Sequence, residues 1–217
     1  MSGFSRSPKL LRGGLVLLDP VSGNVLRIIG LQYNPDTMTR TLQVKGVGAE
    51  SGDRMEALRL KGPPVETIKL EAEIDATDAL EAAQSPTTTQ GLHPQIAAIE
   101  SLVHPASSDL FAANAVAGSG SLEIAPAMSP LSIFVFGPNR IVPVRITELS
   151  ITEEAFDTAL NPIRAKLSLG LRVLSVDDIG FDSKAGGLFM SYLQAKERLA
   201  AQAAGVDFRS LGIPGVF

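Results

Sequence analysis

The sequence predicts a mainly β (α+β) fold: an antiparallel β-sandwich or barrel, with one helix packed against it and a helical C-terminal tail. Three observations point there. Apolar and polar residues alternate with period 2 through two long stretches, "VETIKLEAEID" (65–75) and "IRAKLSLGLRVLSV" (163–176). Shorter apolar runs lie beside them, separated by turn-forming residues at hairpin spacing. Helical spacing is confined to the middle and the end of the chain, so the alternating strand–helix rhythm of a parallel sheet is missing.

Taken in order, "GGLVLLDP" (13–20), "VSGN" (21–24) and "VLRIIGLQ" (25–32) predict a strand, a turn and a strand, with Asp19, Pro20, Ser22, Gly23 and Asn24 supplying the turn. A third strand is expected in "RTLQVKGVG" (40–48), and a short one in "ALRL" (57–60). Between the second and third strands stands Tyr33-Asn34-Pro35. Proline has no N–H to give a ladder, so the chain must turn there. Read locally, Asn34 caps the corner and Tyr33 fills core.

In 65–75, Ile68, Leu70, Ala72 and Ile74 share one face, while Thr67, Lys69, Glu71, Glu73 and Asp75 share the other. That is a half-buried strand. A short helical turn follows at 76–84, then a linker, "SPTTTQG". "LHPQIAAIESLVHP" (92–105) places Ile96, Ile99 and Val103 at helical spacing, ended by Pro105. Residues 106–130, small, polar and glycine-rich, read as a long loop. "PLSIFVFGPNRIVPVRITELSITEE" (130–154) predicts a strand, a "GPN" turn and a longer strand in which Pro143 marks an edge or a bulge. The last strand, within 163–176, turns Ala165, Leu167, Leu169, Leu171 and Val173 inward. The tail holds one amphipathic helix with Leu188, Tyr192 and Leu199 on a stripe. Domain boundaries are therefore set at 1–178 for a β-barrel carrying helix 92–105 and loop 106–130, and 179–217 for the tail.

The chain has 217 residues, enough for one domain with a sizeable core. It contains no cysteine, which removes disulfides and thiolate chemistry. A formal charge of −4 without a basic stripe argues against nucleic acid as a partner. The first twenty residues have the outline of a signal peptide, but Asp19 and Pro20 interrupt the apolar run and no cleavage site follows. The longest apolar run, "LSIFVF", is far too short to span a bilayer, so no membrane insertion is expected. A hydrophobic content of 45% without a membrane segment fits an obligate oligomer.

Chemistry is sparse. His93 and His104 flank the expected helix, about 16 Å apart at 1.5 Å per residue, too far to share a metal. Asp177, Asp178 and Asp182 are spaced too loosely for a calcium loop and read as solvated loop carboxylates. "AGSGS" (117–121) lacks the lysine of a phosphate loop. No catalytic residue, metal ligand or cofactor site is assigned.

"QYNPDTMTR" resembles the aromatic-Asn-Pro signature near the N-terminus of the contractile-injection-system tube-domain family. Further stretches are similar in order: "RLKGPPVETIKLEAEID" (59–75), "GLHPQIAAIESLVHP" (91–105), and "PLSIFVFGPNRIVPVRITELSITEEAFDTALNPIRAKLSLGLRVL" (130–174) with its "NPIRA" corner. Together they cover residues 13–178. The resemblance implies a β-barrel of phage tail-tube type that forms six-fold rings in a phage-tail-like particle. It implies a non-enzymatic baseplate role, as tube initiator or adaptor between inner tube and central spike, with assembly in the cytoplasm. Partners would be other copies of the chain, the inner tube protein, the spike protein and other baseplate components. Adaptor members commonly carry a LysM module after the barrel; here the last forty residues lack that pattern. Candidate interface residues are Tyr33, Asn34 and Pro35 at the corner, Phe134, Phe136 and Gly137 before the long hairpin, and Leu188, Phe189, Tyr192 and Leu193 for docking the tail onto a partner. The alternatives are a plain inner tube subunit, or a monomeric small-ligand-binding β-barrel with 106–130 as its lid.

Overall fold

The computed structural model describes residues 11–19, 22–46, 59–81, 85, 87–118 and 129–215. Among these residues seven strands form one sheet: β1 (Gly14–Leu18), β2 (Val25–Gly30), β3 (Met38–Gln43), β4 (Val65–Asp75), β5 (Leu131–Val135), β6 (Ile141–Phe156) and β7 (Pro162–Val173). Their spatial order is β2-β1-β5-β6-β7-β4-β3, with every pair antiparallel. Among the described residues six helical segments accompany them: α1 (Thr77–Glu81), α2 (Thr87–Gln90), α3 (His93–Glu100), α4 (Ser107–Gly118), α5 (Val176–Ile179) and α6 (Lys184–Gln202). The fold is mainly β, as expected.

The sheet is rolled. Gln32, two residues past β2, hydrogen-bonds Asp75 at the end of β4, five strands away in sheet order. In a flat sheet those strands would lie about 24 Å apart at ~4.8 Å per gap. Two residues of chain cover only about 7 Å. Curling brings both edges to the same place. Among the described residues β2 and β3 do not pair with each other, so the barrel stays open along one seam.

The inward faces follow the alternation. Ile68, Leu70, Ala72 and Ile74 on β4, and Ala165, Leu167, Leu169, Leu171 and Val173 on β7, join Leu15, Leu17, Phe134, Val142 and Val144 in one core cluster. Leu92, Ile96, Ile99 and Leu102 on and beside α3 enter the same cluster, as do Phe189 and Tyr192 on α6. On the opposite face, β4, β6 and β7 carry cross-strand ion pairs: Lys69 with Glu148, Arg164 with Glu73 and Asp75, and Lys166 with Glu154. Apart from Asp75, which is 13% exposed, the partners are solvent-facing, so each of these pairs contributes little to stability.

Gly170 and Gly91 are among the glycines required by close approach. Register slips between Ile146 and Glu148, a bulge in β6, and Gly170 lies opposite it. A Cβ on Gly170 would stand 2.9 Å from that of Glu148. Gly91, in left-handed backbone at φ +54°, leads into α3 where a Cβ would meet the Pro162 carbonyl at 2.5 Å.

Several expectations are corrected. The helix expected over 92–105 is His93–Glu100, followed by tight turns through His104. The long loop expected over 106–130 is helical over Ser107–Gly118, where alanine and leucine outweigh the flanking serines; residues 119–128 lie outside the described residues. Part of the expected linker 85–91 is helix α2. Pro143 is fully buried in β6, an interior strand, with the bulge three residues beyond it. Its backbone faces the β7 side just past that strand's last residue, and the Leu174 N–H reaches the Pro143 carbonyl at 2.9 Å. The missing donor therefore falls beyond the ladder. Asp177 and Asp178 form the first turn of α5, where Ser175 and Asp178 make a capping box. Of the expected strand 57–60, positions 57 and 58 are outside the described residues; Leu60 makes an isolated antiparallel bridge with Gly46.

Candidate functional site

The Tyr33-Asn34-Pro35 corner is where the chain crosses from one edge of the sheet to the other. Two side-chain amides replace the ladder that proline interrupts. Gln32 donates to the Asp75 carbonyl at 2.8 Å and accepts from the Asp75 N–H at 2.9 Å. Asn34 accepts from the Gly13 N–H at 2.9 Å and donates to the Leu11 carbonyl at 2.7 Å. One amide thus ties the corner to β4 and the other ties it to the approach to β1. Tyr33 does not fill core: it is 50% exposed, whereas Leu31, two residues before it, is buried. Tyr33 to Thr37 instead overhang the polar face of the sheet. With Glu71, Glu73, Ser150 and Lys166 they border a groove of about 610 Å³.

Replacing Asn34 by alanine should cost about 1–2 kcal/mol, since the half-buried Gly13 N–H loses its acceptor. The thermal midpoint should fall by about 3–6 °C for a chain of this length. Asn34→Asp keeps the acceptor while losing the donor and should recover part of the loss.

The two edges differ in character. On β2, Val25, Leu26 and Ile28 are all exposed, although they do not share one face. Ile28 is 69% exposed. Among the described residues β2 pairs only with β1, so its outer row of backbone groups faces outward. A natural edge strand is normally guarded by charge, proline or shortness; here Arg27 alone interrupts an apolar edge. On the far edge, β3 pairs only with β4 among the described residues and exposes Leu42. The tip of the β6–β7 hairpin is also apolar, with Phe156 and Leu160 exposed. That tip holds its shape through Asp157, which accepts from the Ala159 and Asn161 N–H groups and from the Asn161 amide. Those bonds hold the Asp157 carboxyl below its ordinary pKa.

The other expected interface residues fall differently. Phe134 is fully buried, pairs across the sheet with Leu15 and Val142, and is core. Phe136 is partly buried and stacks on Phe134 with ring centroids 6.0 Å apart; the Arg140 guanidinium lies over its ring at 5.8 Å. Gly137 opens the following turn at φ +77°, a conformation glycine adopts without strain. In the tail, Phe189 and Tyr192 are buried against this chain's own sheet, and Leu188 and Leu193 are half-buried. Docking by Phe189 and Tyr192 is therefore within the molecule. The helix's buried stripe is Ala185, Phe189 and Tyr192, whereas Leu199 is exposed.

What the alternation concealed is Glu66. It sits on the core face of β4, in step with Ile68, and is 4% exposed. Lys196 and Tyr192 of α6 and Arg40 of β3 all hydrogen-bond its carboxylate, at 2.8, 3.0 and 2.8 Å. Lys196 also lies over the Tyr192 ring at 4.0 Å. This knot fixes α6 to β3 and β4. A glutamate one step before an apolar face was the available signal, but nothing in the sequence names its partners 126 and 130 residues away.

His93 and His104 are both exposed. Among the described residues no group of His, Asp and Glu is gathered as a metal site, and no helix is long and apolar enough to cross a membrane.

No protein-family model and no curated protein matches the chain. Among solved structures it is similar to a chain in the virion of a native gene transfer agent particle, at 14% identity and a TM-score of 0.26, covering 74% of this chain and 90% of that one. It is likewise similar to a chain in the tail of an empty gene transfer agent particle with C6 symmetry, at 17% identity and a TM-score of 0.27, with the same coverage.

Proposed function

We propose that the chain is a structural, ring-forming subunit of a phage-tail-like contractile particle, placed at the baseplate as the adaptor or initiator between inner tube and central spike. The observation that carries this reading is the sheet edge: among the described residues, β2 presents an apolar outer strand interrupted only by Arg27, with β3 as the other unpaired edge. Joining the β2 edge of one copy to the β3 edge of the next is a head-to-tail contact, which closes into a ring when the rotation allows. The ordered series of motifs from the corner to "NPIRA" supports the tail-tube type and the six-fold ring. The helical tail beyond the barrel favours an adaptor, with inner tube protein, spike protein and other baseplate components as neighbours, over a plain tube subunit. The role is non-catalytic, and assembly is cytoplasmic before incorporation into the particle.

The test is Ile28→Asp, read by native mass spectrometry and negative-stain microscopy. The wild-type chain should form closed rings. A charge on this edge should weaken association by about thirty-fold or more, the equivalent of ~2 kcal/mol at an interface centre. Diluted to where both chains are monomeric, the two should melt within a degree or two of each other, because Ile28 is exposed in the single copy. Wild-type chains that remain monomeric at high concentration would sink the proposal. So would a host in which deleting the gene leaves particles with normal tube and spike.

A further inference from the structure

The chain carries two apolar features on opposite ends of α6. At its N-terminal end, a cavity of about 740 Å³ opens between the sheet and the start of the helix. Leu131, Val144, Ile146, Leu174 and Ile179 form its apolar floor, and Arg145 and Asp182 are among the groups around it. This is the size and character of a site that takes a few large side chains. Beyond the C-terminal end of α6, residues 203–213 form an arm whose large apolar side chains are exposed: Val206 (74%), Phe208 (49%), Leu211 (61%) and Ile213 (41%). The arm has its own shape. Asp207 accepts from the Ser210 N–H, and the Ile213 N–H returns to the Phe208 carbonyl at 3.1 Å.

The arm does not reach its own cavity. From Ala185 at the cavity wall to Gln202 at the end of α6 is about 26 Å at 1.5 Å per residue. Residues 203–207, fully extended back along the helix, cover about 17 Å. The turn that follows folds back on itself and adds little. The charges are compatible: the arm carries Asp207 and Arg209, and the cavity is lined by Arg145, Lys184 and Asp182, so the Asp207 carboxylate has two cations to meet.

We infer that the arm of one copy seats its Phe208–Ile213 turn in the α5–α6 cavity of a neighbouring copy. The exchange is heterologous, donor arm into acceptor cavity, and adds a second strap to the ring contact proposed above. It rests on that reading only in requiring a neighbouring copy. It also accounts for Phe208 and Leu211 facing outward in the single chain.

The chain has no cysteine, so paired cysteines give an unambiguous test. The double variant Ile146→Cys with Leu211→Cys, oxidised at native concentration and run on a denaturing gel without reductant, should give a ladder from dimer upward. An equal mixture of the two single variants should give dimers containing one of each. If Ile146→Cys disturbs folding, Val103→Cys on the exposed side of the cavity serves in its place. A monomer of altered mobility would show the arm in its own cavity and overturn the inference. No cross-link while wild-type rings persist would overturn it and leave the ring reading standing. A ladder from chains that form no closed ring would support the exchange and overturn the ring. No cross-link and no self-association would end both.

Discussion

Replacing Phe134 by alanine should cost about 3–5 kcal/mol, the range for removing a fully buried aromatic from a packed core. Phe134 is 1% exposed and lies between Leu15 and Val142 on the strands to either side. The surrounding strands are bonded on both edges and cannot collapse onto the space it leaves. A chain of this length loses about 2–4 °C of Tm per kcal/mol, so the midpoint should fall by about 10 °C. Phe136→Ala should cost less, because that ring is only partly buried. The pair separates core from interface: an interface role for Phe134 requires an unchanged Tm with weakened assembly. Calorimetry beside native mass spectrometry reads both.

Glu66→Ala should cost about 2–3 kcal/mol and should act on α6 before the rest of the molecule. Removing one member of a buried charge pair costs about 3–5 kcal/mol when the other is left dry. Here Arg40 and Lys196 are 28% and 33% exposed and regain water, which lowers the cost. Tyr192 keeps its contact with Arg40 at 3.0 Å. Hydrogen exchange should show protection lost along the last two turns of α6, with the β4–β7 amides unchanged. Uniform loss across the sheet would mean that Glu66 supports the barrel rather than the helix.

The same carboxylate sets a pH dependence. Burial pushes the Glu66 carboxyl up, but the hydrogen bonds from Lys196, Arg40 and Tyr192, with the Lys196 charge, outweigh it and hold it below the ordinary range. A depressed carboxyl adds stability that is complete above its unfolded pKa of about 4.3 and is lost as pH falls through the lower folded value. Asp75, held down first by its hydrogen bonds to Thr77, acts in the same direction. Urea titrations from pH 7 to pH 3 should show wild-type stability falling below about pH 4. Glu66→Gln should be less stable at pH 7 and should fall less steeply in acid. Parallel curves would remove Glu66 as the cause.

The strands were legible because burial imposes its own period. Residues 65–75 alternate one for one with the observed burial, and 163–173 do so except at Gly170, which is covered where it faces the β6 bulge; a one-residue slip would turn Leu70 or Leu169 into solvent. Helix α4 was not legible: its twelve residues bury no face, so no periodicity marks it, and the serine-rich ends read as loop. In the tail the period and its phase were visible, since Leu199 lies seven residues beyond Tyr192 on the stripe of Ala185, Phe189 and Tyr192; what the period does not show is that burial along α6 ends at Tyr192, which leaves Leu199 exposed.

By itself, then, the sequence determined where the strands lie, the side of 65–75 and of 163–173 that faces inward, and the place where the chain must turn at Pro35. Local propensity and period settle these, and both are written within a few residues. Only the tertiary structure decided that the Tyr33-Asn34-Pro35 corner joins the two edges of one rolled sheet. It also decided that Phe134 is core, that β2 is an open apolar edge, and that Glu66 binds α6. Each of these depends on which strands become neighbours across long stretches of chain. That choice follows from how the apolar faces of the strands and helices are covered together, not from any one stretch read alone.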